Sequence, residues 1–211
     1  MKSKHIINSL FFAIVLLAAC GGKKSSEQSS SEKDESVVGE KKEYAVDTVS
    51  STVTWLGEVA GVYGHNGEIE IAEGTVEVTG GVITGGKVII DMTTIQPMDS
   101  ASYKDEDGRR ASDLVGHLST GDFFLVEEYP TSSFVIKSVE NGQLIGDLTI
   151  RGITKEEKAE ITSLEISPSG LEAKADLVFN RQDYKVSWVH FMKDMVLADE
   201  IKIGIELVAK P

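Results

Sequence analysis

The sequence predicts an all-β domain, a single antiparallel barrel or sandwich of roughly eight strands, with a short helix and a long loop at one end. Three observations carry this prediction. From Tyr44 onward, apolar and polar residues alternate with period two, as in Ile201, Ile203, Ile205 and Leu207 against Lys202, Gly204 and Glu206. Turn pairs recur at hairpin spacing, among them Gly80-Gly81, Gly85-Gly86, Asn141-Gly142 and Ser167-Pro168-Ser169-Gly170. Twenty glycines stand against four prolines in 211 residues, which fits many tight turns.

Two segments precede the domain. Lys2 and Lys4 lead into an apolar run, Ile6 to Ala19, interrupted by Asn8 and Ser9. It is short for a bilayer span and has the layout of a secretory signal, so residues 1–19 read as a signal peptide. The run ends in Leu17-Ala18-Ala19-Cys20, which resembles the bacterial lipoprotein box, where the cysteine is acylated and becomes the mature N-terminus. An ordinary signal peptide that contains a cysteine is the competing reading. Residues 20–43 read as a lipid-anchored flexible linker: Gly21, Gly22, six serines and alternating Lys and Glu leave little to bury. Such a coil of about 23 residues spans roughly 25 Å on average. Gly21 rather than Asp after Cys20 points to the outer membrane of a Gram-negative envelope, on a face the sequence leaves open.

The domain, residues 44–211, carries the acidity of the chain. Seven of 21 basic and six of 34 acidic residues lie ahead of Tyr44, which leaves the domain at -14 against -13 for the whole chain. A field of that sign argues against nucleic-acid binding. A single cysteine excludes an internal disulfide and any multi-cysteine metal site. Within the domain, Leu171, Ala173, Ala175, Leu177 and Phe179 share one parity, as do Ile69/Ile71, Val76/Val78 and Leu148/Ile150. Residues 93–130 break the pattern with a polar loop and then Ser112-Asp113-Leu114-Val115-Gly116-His117-Leu118. Ser112 is the expected N-cap of a short helix with Leu114, Val115 and Leu118 on one side.

Several fragments together resemble the YceI-like polyisoprenoid-binding proteins, a family of lipocalin-like barrels. They are Tyr44-Ala45-Val46-Asp47 with Ser51-Thr52-Val53-Thr54-Trp55, Gly64-His65-Asn66-Gly67, Ile89-Ile90-Asp91-Met92, Gly116-His117-Leu118 with Asp122-Phe123-Phe124, and Tyr129-Pro130-Thr131. Gly146-Asp147-Leu148-Thr149-Ile150-Arg151-Gly152-Ile153-Thr154-Lys155, Arg181-Gln182-Asp183-Tyr184 and Leu197-Ala198-Asp199-Glu200-Ile201 complete the set. The His-Asn-Gly variant is similar to lipoprotein members from Bacteroidetes-type bacteria. Asn180, Lys185 and the acidic loop 99–108 depart from the family pattern. The resemblance implies an eight-stranded antiparallel barrel whose apolar tunnel holds a long-chain lipid: a polyisoprenoid, an isoprenoid quinone or a fatty-acid derivative. Dimers are known in the family, so a homodimer is open; no cofactor beyond the bound lipid and no catalysis are expected.

Candidate site residues follow. Trp55, Phe134, Leu148, Ile150 and Phe179 fall on the apolar parity of their strands and are the expected ligand contacts, though core packing is the default for such residues. Ala173 and Ala175 either leave room for a ligand or taper a packed core. His117 reads as a helix-end residue bonded locally, or as a contact to a lipid head. Arg151 and Arg181 read as salt-bridge partners at strand ends, or as forks for an anionic head such as pyrophosphate. No Gly-x-Ser-x-Gly or His-Glu-x-x-His motif is present. His65, His117 and His190 lack ligand spacing for zinc; His190, Met192 and Met195 include soft donors for copper; Asp99, Asp105, Glu106 and Asp107 offer oxygens to calcium without the EF-hand spacing. The alternative to a lipid carrier is a packed barrel that meets a partner through loop 99–108.

Overall fold

A computed structural model describes residues 39–59, 63–188 and 197–211. Residues 1–38, including Cys20, lie outside the described residues, as do His190, Phe191, Met192 and Met195. The strands are β1 (Lys41–Val46), β2 (Thr52–Val59), β3 (Tyr63–Ile69), β4 (Ile71–Thr79), β5 (Val82–Asp91) and β6 (Gln96–Pro97), then β7 (Thr131–Glu140), β8 (Gln143–Ile150), β9 (Ile153–Ser167), β10 (Gly170–Asn180) and β11 (Leu197–Lys210). The first strand thus starts at Lys41, three residues inside the expected linker.

Eight strands close into a barrel. Hydrogen-bonded neighbours run β1, β4, β5, β7, β8, β9, β10, β11, and β1 returns to β11 to shut the ring. Every pairing is antiparallel, as short hairpin connections require. One edge of β11 serves two strands: Ala209 pairs with Val46 of β1, whereas Glu206 to Leu197 pair with Thr52 to Val59 of β2. β1 and β2 are therefore two halves of one wall strand, and β4 and β3 are the matching halves of its neighbour. Residues 36–211 form one compact unit, and the whole ring of strands lies inside it.

The turns explain the register. Gly80-Gly81 (φ 59° and 85°), Asn141-Gly142 (52° and 81°) and Arg151-Gly152 (51° and 68°) each hold two residues at positive φ, the conformation that matches a two-residue hairpin to strand twist. Gly85-Gly86 is not a turn, contrary to the sequence expectation. Both lie inside β5, where Glu77 pairs with Gly85 but Val78 with Ile83, which leaves Thr84 as the extra residue of a bulge. Gly86 takes φ 139°, and a Cβ there would overlap the Thr75 carbonyl oxygen.

Between β6 and β7 lies the helix α1 (Ala111–Leu118), which starts one residue before the expected cap. Its N-cap is Arg110, not Ser112; the Asp113 carboxylate accepts from the Arg110 backbone N–H at 2.8 Å, which satisfies that donor without a serine. This end of the barrel also receives the Arg151-Gly152 turn and residues 181–188. At the far end Tyr44, 2% exposed, packs with Val76, Val78 and Leu171, and its hydroxyl donates to the Ser167 carbonyl at 2.9 Å. Inward residues form two apolar clusters, one under the helix and one at the far end, and Phe134 packs against both.

Candidate functional site

The interior is not filled. A cavity of about 650 Å³ occupies the barrel, a size ordinary for a small-ligand site. Its wall is the inward parity of the strands: Leu171, Ala173, Ala175, Leu177 and Phe179 of β10 face it, with Ile201, Ile203, Ile205 and Leu207 of the neighbouring β11 beside them. Two alanines in succession on β10 supply space that larger residues would occupy. Val76, Ile83, Ile136, Leu171 and Leu207 line the far half and are all apolar. Among the described residues, the lining groups that can carry positive charge, His65, His117 and Arg181, sit at the helical end. The cavity is thus apolar along its length and polar at one end.

The sequence-predicted residues divide. Trp55, Phe134, Leu148, Ile150, Phe179, His117 and Arg181 all line the cavity. His117 stands in the last turn of α1, edge-on to Phe123 at 5.0 Å and to Trp188 at 5.1 Å, with Nε2 3.7 Å from Asp122. Arg181 is 3% exposed and committed to the protein. Its Nε donates to Ala198 O at 2.9 Å, Nη1 to Val186 O at 2.6 Å and Trp188 O at 3.4 Å, and Nη2 to Leu197 O at 3.2 Å and Asp199 at 3.1 Å. Five N–H groups meet five acceptors, so the guanidinium ties the chain around 186–188 to the start of β11. Burial pulls its pKa down, and Asp199 partly offsets this.

Arg151 needs a correction. It is the first residue of a hairpin turn, lies outside the cavity wall, and its Nη1 donates to the Lys185 carbonyl. Its partner is a carbonyl of the segment after β10 and not the carboxylate expected for a salt bridge. The acids of loop 99–108 stay exposed but are paired: Arg110 binds Asp105 at 2.8 Å and Asp107 at 2.6 Å, and Arg109 binds Glu106 at 2.9 Å. Among the described residues no three His, Cys, Asp or Glu side chains gather as metal ligands.

One constellation escaped the sequence reading. His65, Asp99 and Tyr103 meet at the helical end: His65 Nδ1 lies 2.8 Å from Asp99 Oδ2 and 2.9 Å from Tyr103 Oη, and the phenol donates to Asp99 Oδ1 at 2.8 Å. Partial burial opposes the charge on Asp99, but hydrogen bonds from His65, Tyr103 and Ser102 outweigh it and hold its pKa below the ordinary value. Burial and the bond to Asp99 push the Tyr103 phenol up, so it stays a donor. The signal was present in β3, where Tyr63, His65 and Ile69 share the inward parity and a histidine stands among apolar neighbours.

Compared with known proteins, residues 44–209 match the model of the YceI-like domain. This chain belongs to the YceI-like family. Relatives of the YceI-like chain include the UPF0312 proteins of Staphylococcus aureus. That of strain MSSA476 is 36% identical over 78 residues, 34% of this chain and 46% of the relative. That of strain USA300 is 41% identical over 56 residues, 26% of this chain and 33% of the relative. The chain therefore spans less than half the length of these curated relatives. BcnA of Burkholderia cenocepacia superposes with a TM-score of 0.55 at 18% identity, covering 78% of this chain and 99% of that one. A polyisoprenoid binding domain from Saccharophagus degradans, implicated in plant cell wall breakdown, gives 0.50 at 9% identity, covering 79% and 97%. At these identities the likeness is one of fold.

Proposed function

We propose that this protein is a non-catalytic carrier of one long-chain apolar lipid, tethered to the bacterial envelope through acylated Cys20. The observation that carries the reading is the apolar cavity of about 650 Å³ inside a closed barrel. Burial of a chain there is worth on the order of 25 cal/mol per Å² before ordering costs, and the wall supplies no competing polar partners along its far half. The family and the polyisoprenoid-binding neighbour favour an isoprenoid chain, with an isoprenoid quinone or a fatty-acid derivative as the other members of the class. The anchor reading draws on Leu17-Ala18-Ala19-Cys20 and the absence of Asp after it, and favours the outer membrane. Two acyl chains would hold such a protein on a bilayer durably. The packed-barrel alternative loses support, since the interior is hollow and the loop's charges are paired with its own arginines.

The test uses residues 36–211, expressed in bacteria and purified without detergent. Mass measurement under native and then denaturing conditions is expected to show one long-chain lipid per barrel, released on unfolding. A bare mass that persists after incubation with polyprenol, quinone and fatty acid overturns the carrier reading.

A further inference from the structure

The polar groups of the cavity wall differ in what they have left to offer. Arg181 directs all five N–H groups at protein acceptors. His117 is enclosed by Phe123 and Trp188, with Asp122 as its near charge. His65 stands apart. It sits on the inward parity of β3, across from Gly57 of β2, which leaves the space in front of it open. Its Nδ1 is bound by Asp99 and Tyr103, neither of which lines the cavity. Tyr103 stacks against the ring at 5.5 Å and 18°, and Tyr63 meets it edge-on at 5.5 Å, so the ring plane is set.

Proton bookkeeping fixes the tautomer. A carboxylate only accepts, and the one phenolic proton of Tyr103 goes to Asp99 Oδ1. The contact of 2.8 Å between Nδ1 and Asp99 Oδ2 therefore requires the proton on Nδ1. In the neutral ring Nε2 is then a lone pair. Among the described residues no hydrogen bond to it occurs.

We propose that His65 Nε2 is the head-group acceptor of the cavity, and that the bound lipid ends in a neutral hydroxyl, an alcohol or a phenol. This deepens the carrier reading and rests on it. The hydroxyl donates to Nε2, and its chain runs past Phe134 toward Val76 and Leu207 at the apolar far end. A pure hydrocarbon would leave the lone pair without a donor, which costs more in a dry cavity than in water. A phosphate or diphosphate head is disfavoured for a different reason. Asp99 places a negative charge one hydrogen bond behind the acceptor, and the arginine of the wall has no N–H left to answer a second one. The same commitment argues against the pyrophosphate role considered for Arg181.

The experiment measures equilibrium dialysis of radiolabelled geranylgeraniol, geranylgeranyl diphosphate and the hydrocarbon phytane against delipidated residues 36–211. The alcohol is expected to bind about tenfold more tightly than the hydrocarbon, a factor of about 1.4 kcal/mol. In His65→Phe, which keeps the ring and removes the acceptor, alcohol affinity falls to that of phytane while phytane affinity holds. Asp99→Asn, which slackens the ring, is expected to reduce the preference severalfold. An undiminished alcohol preference in His65→Phe overturns the proposal, as does tighter binding of the diphosphate than of the alcohol. Should His65→Phe lose phytane as well, Asp99→Asn decides: a full tenfold preference there overturns the assignment, and a reduced one supports it. Failure of all three lipids to bind the unmodified barrel would instead remove the carrier reading.

Discussion

At Asp47 a single carboxylate holds the kink between the two halves of the first wall strand. Its Oδ1 accepts from the backbone of Val49 and Ser50 at 3.2 Å, and its Oδ2 from Lys210 Nζ at 2.6 Å, which ties the kink to the last strand. The bond from Lys210, then those from Ser50, lower its pKa from 3.8 to about 2. A carboxyl depressed on folding adds stability that is complete above the ordinary carboxylate range and is lost as pH falls toward the folded value. The Asp47 carboxyl resonance is therefore expected to titrate near 2, and in Lys210→Ala to move up toward 3.8. In urea melts the difference between the two chains should shrink between pH 4 and pH 2; a gap that survives at the acid end would contradict the assignment. Arg181 teaches the opposite lesson about legibility. Its carbonyl partners lie up to 17 residues away in the chain, so nothing local to Arg181-Gln182-Asp183-Tyr184 separates a structural clamp from a ligand fork.

Among the elements, period two was the readable signal, and it located the faces of β10 and β11 without error because each alternate residue of a barrel wall meets either water or the interior. The punctuation was less readable. Gly-Gly serves a turn at Gly80-Gly81 and follows the Thr84 bulge at Gly85-Gly86, and only the register of β4 tells them apart. Arg151-Gly152 went unnoticed as a turn because arginine is an uncommon occupant of positive φ. Two glycine substitutions separate these constraints. Gly86→Ala should cost about 1–3 kcal/mol, since the new methyl meets backbone in a conformation L-residues avoid. Gly116→Ala in α1, with nothing within 4 Å of its added methyl, should instead raise stability by about 0.5–1 kcal/mol. Thermal or urea unfolding of both variants tests the pair, and equal effects would refute the bulge geometry.

For the molecule as a whole, strand number and closure were legible, whereas hollowness was not. An inward face of Leu, Ala, Ala, Leu and Phe describes a packed taper as well as a tunnel wall, because volume depends on how opposite walls meet across the barrel. The structure resolves this at Phe134, which lies between the two clusters and on the cavity wall. Phe134→Trp is expected to cut geranylgeraniol uptake at least tenfold while unfolding shifts by less than about 1 kcal/mol. A filled interior would show the reverse, an overpacking loss of about 1–3 kcal/mol.

The entry point of the chain has its own consequence. Lys41 pairs with Thr79 beside the Gly80-Gly81 turn, at the end remote from α1, His65 and His117. The described chain thus enters the barrel at its apolar end, and the polar rim of the cavity stands at the other. Changes to the residues ahead of Lys41 are therefore expected to leave the cavity and its polar rim unaltered.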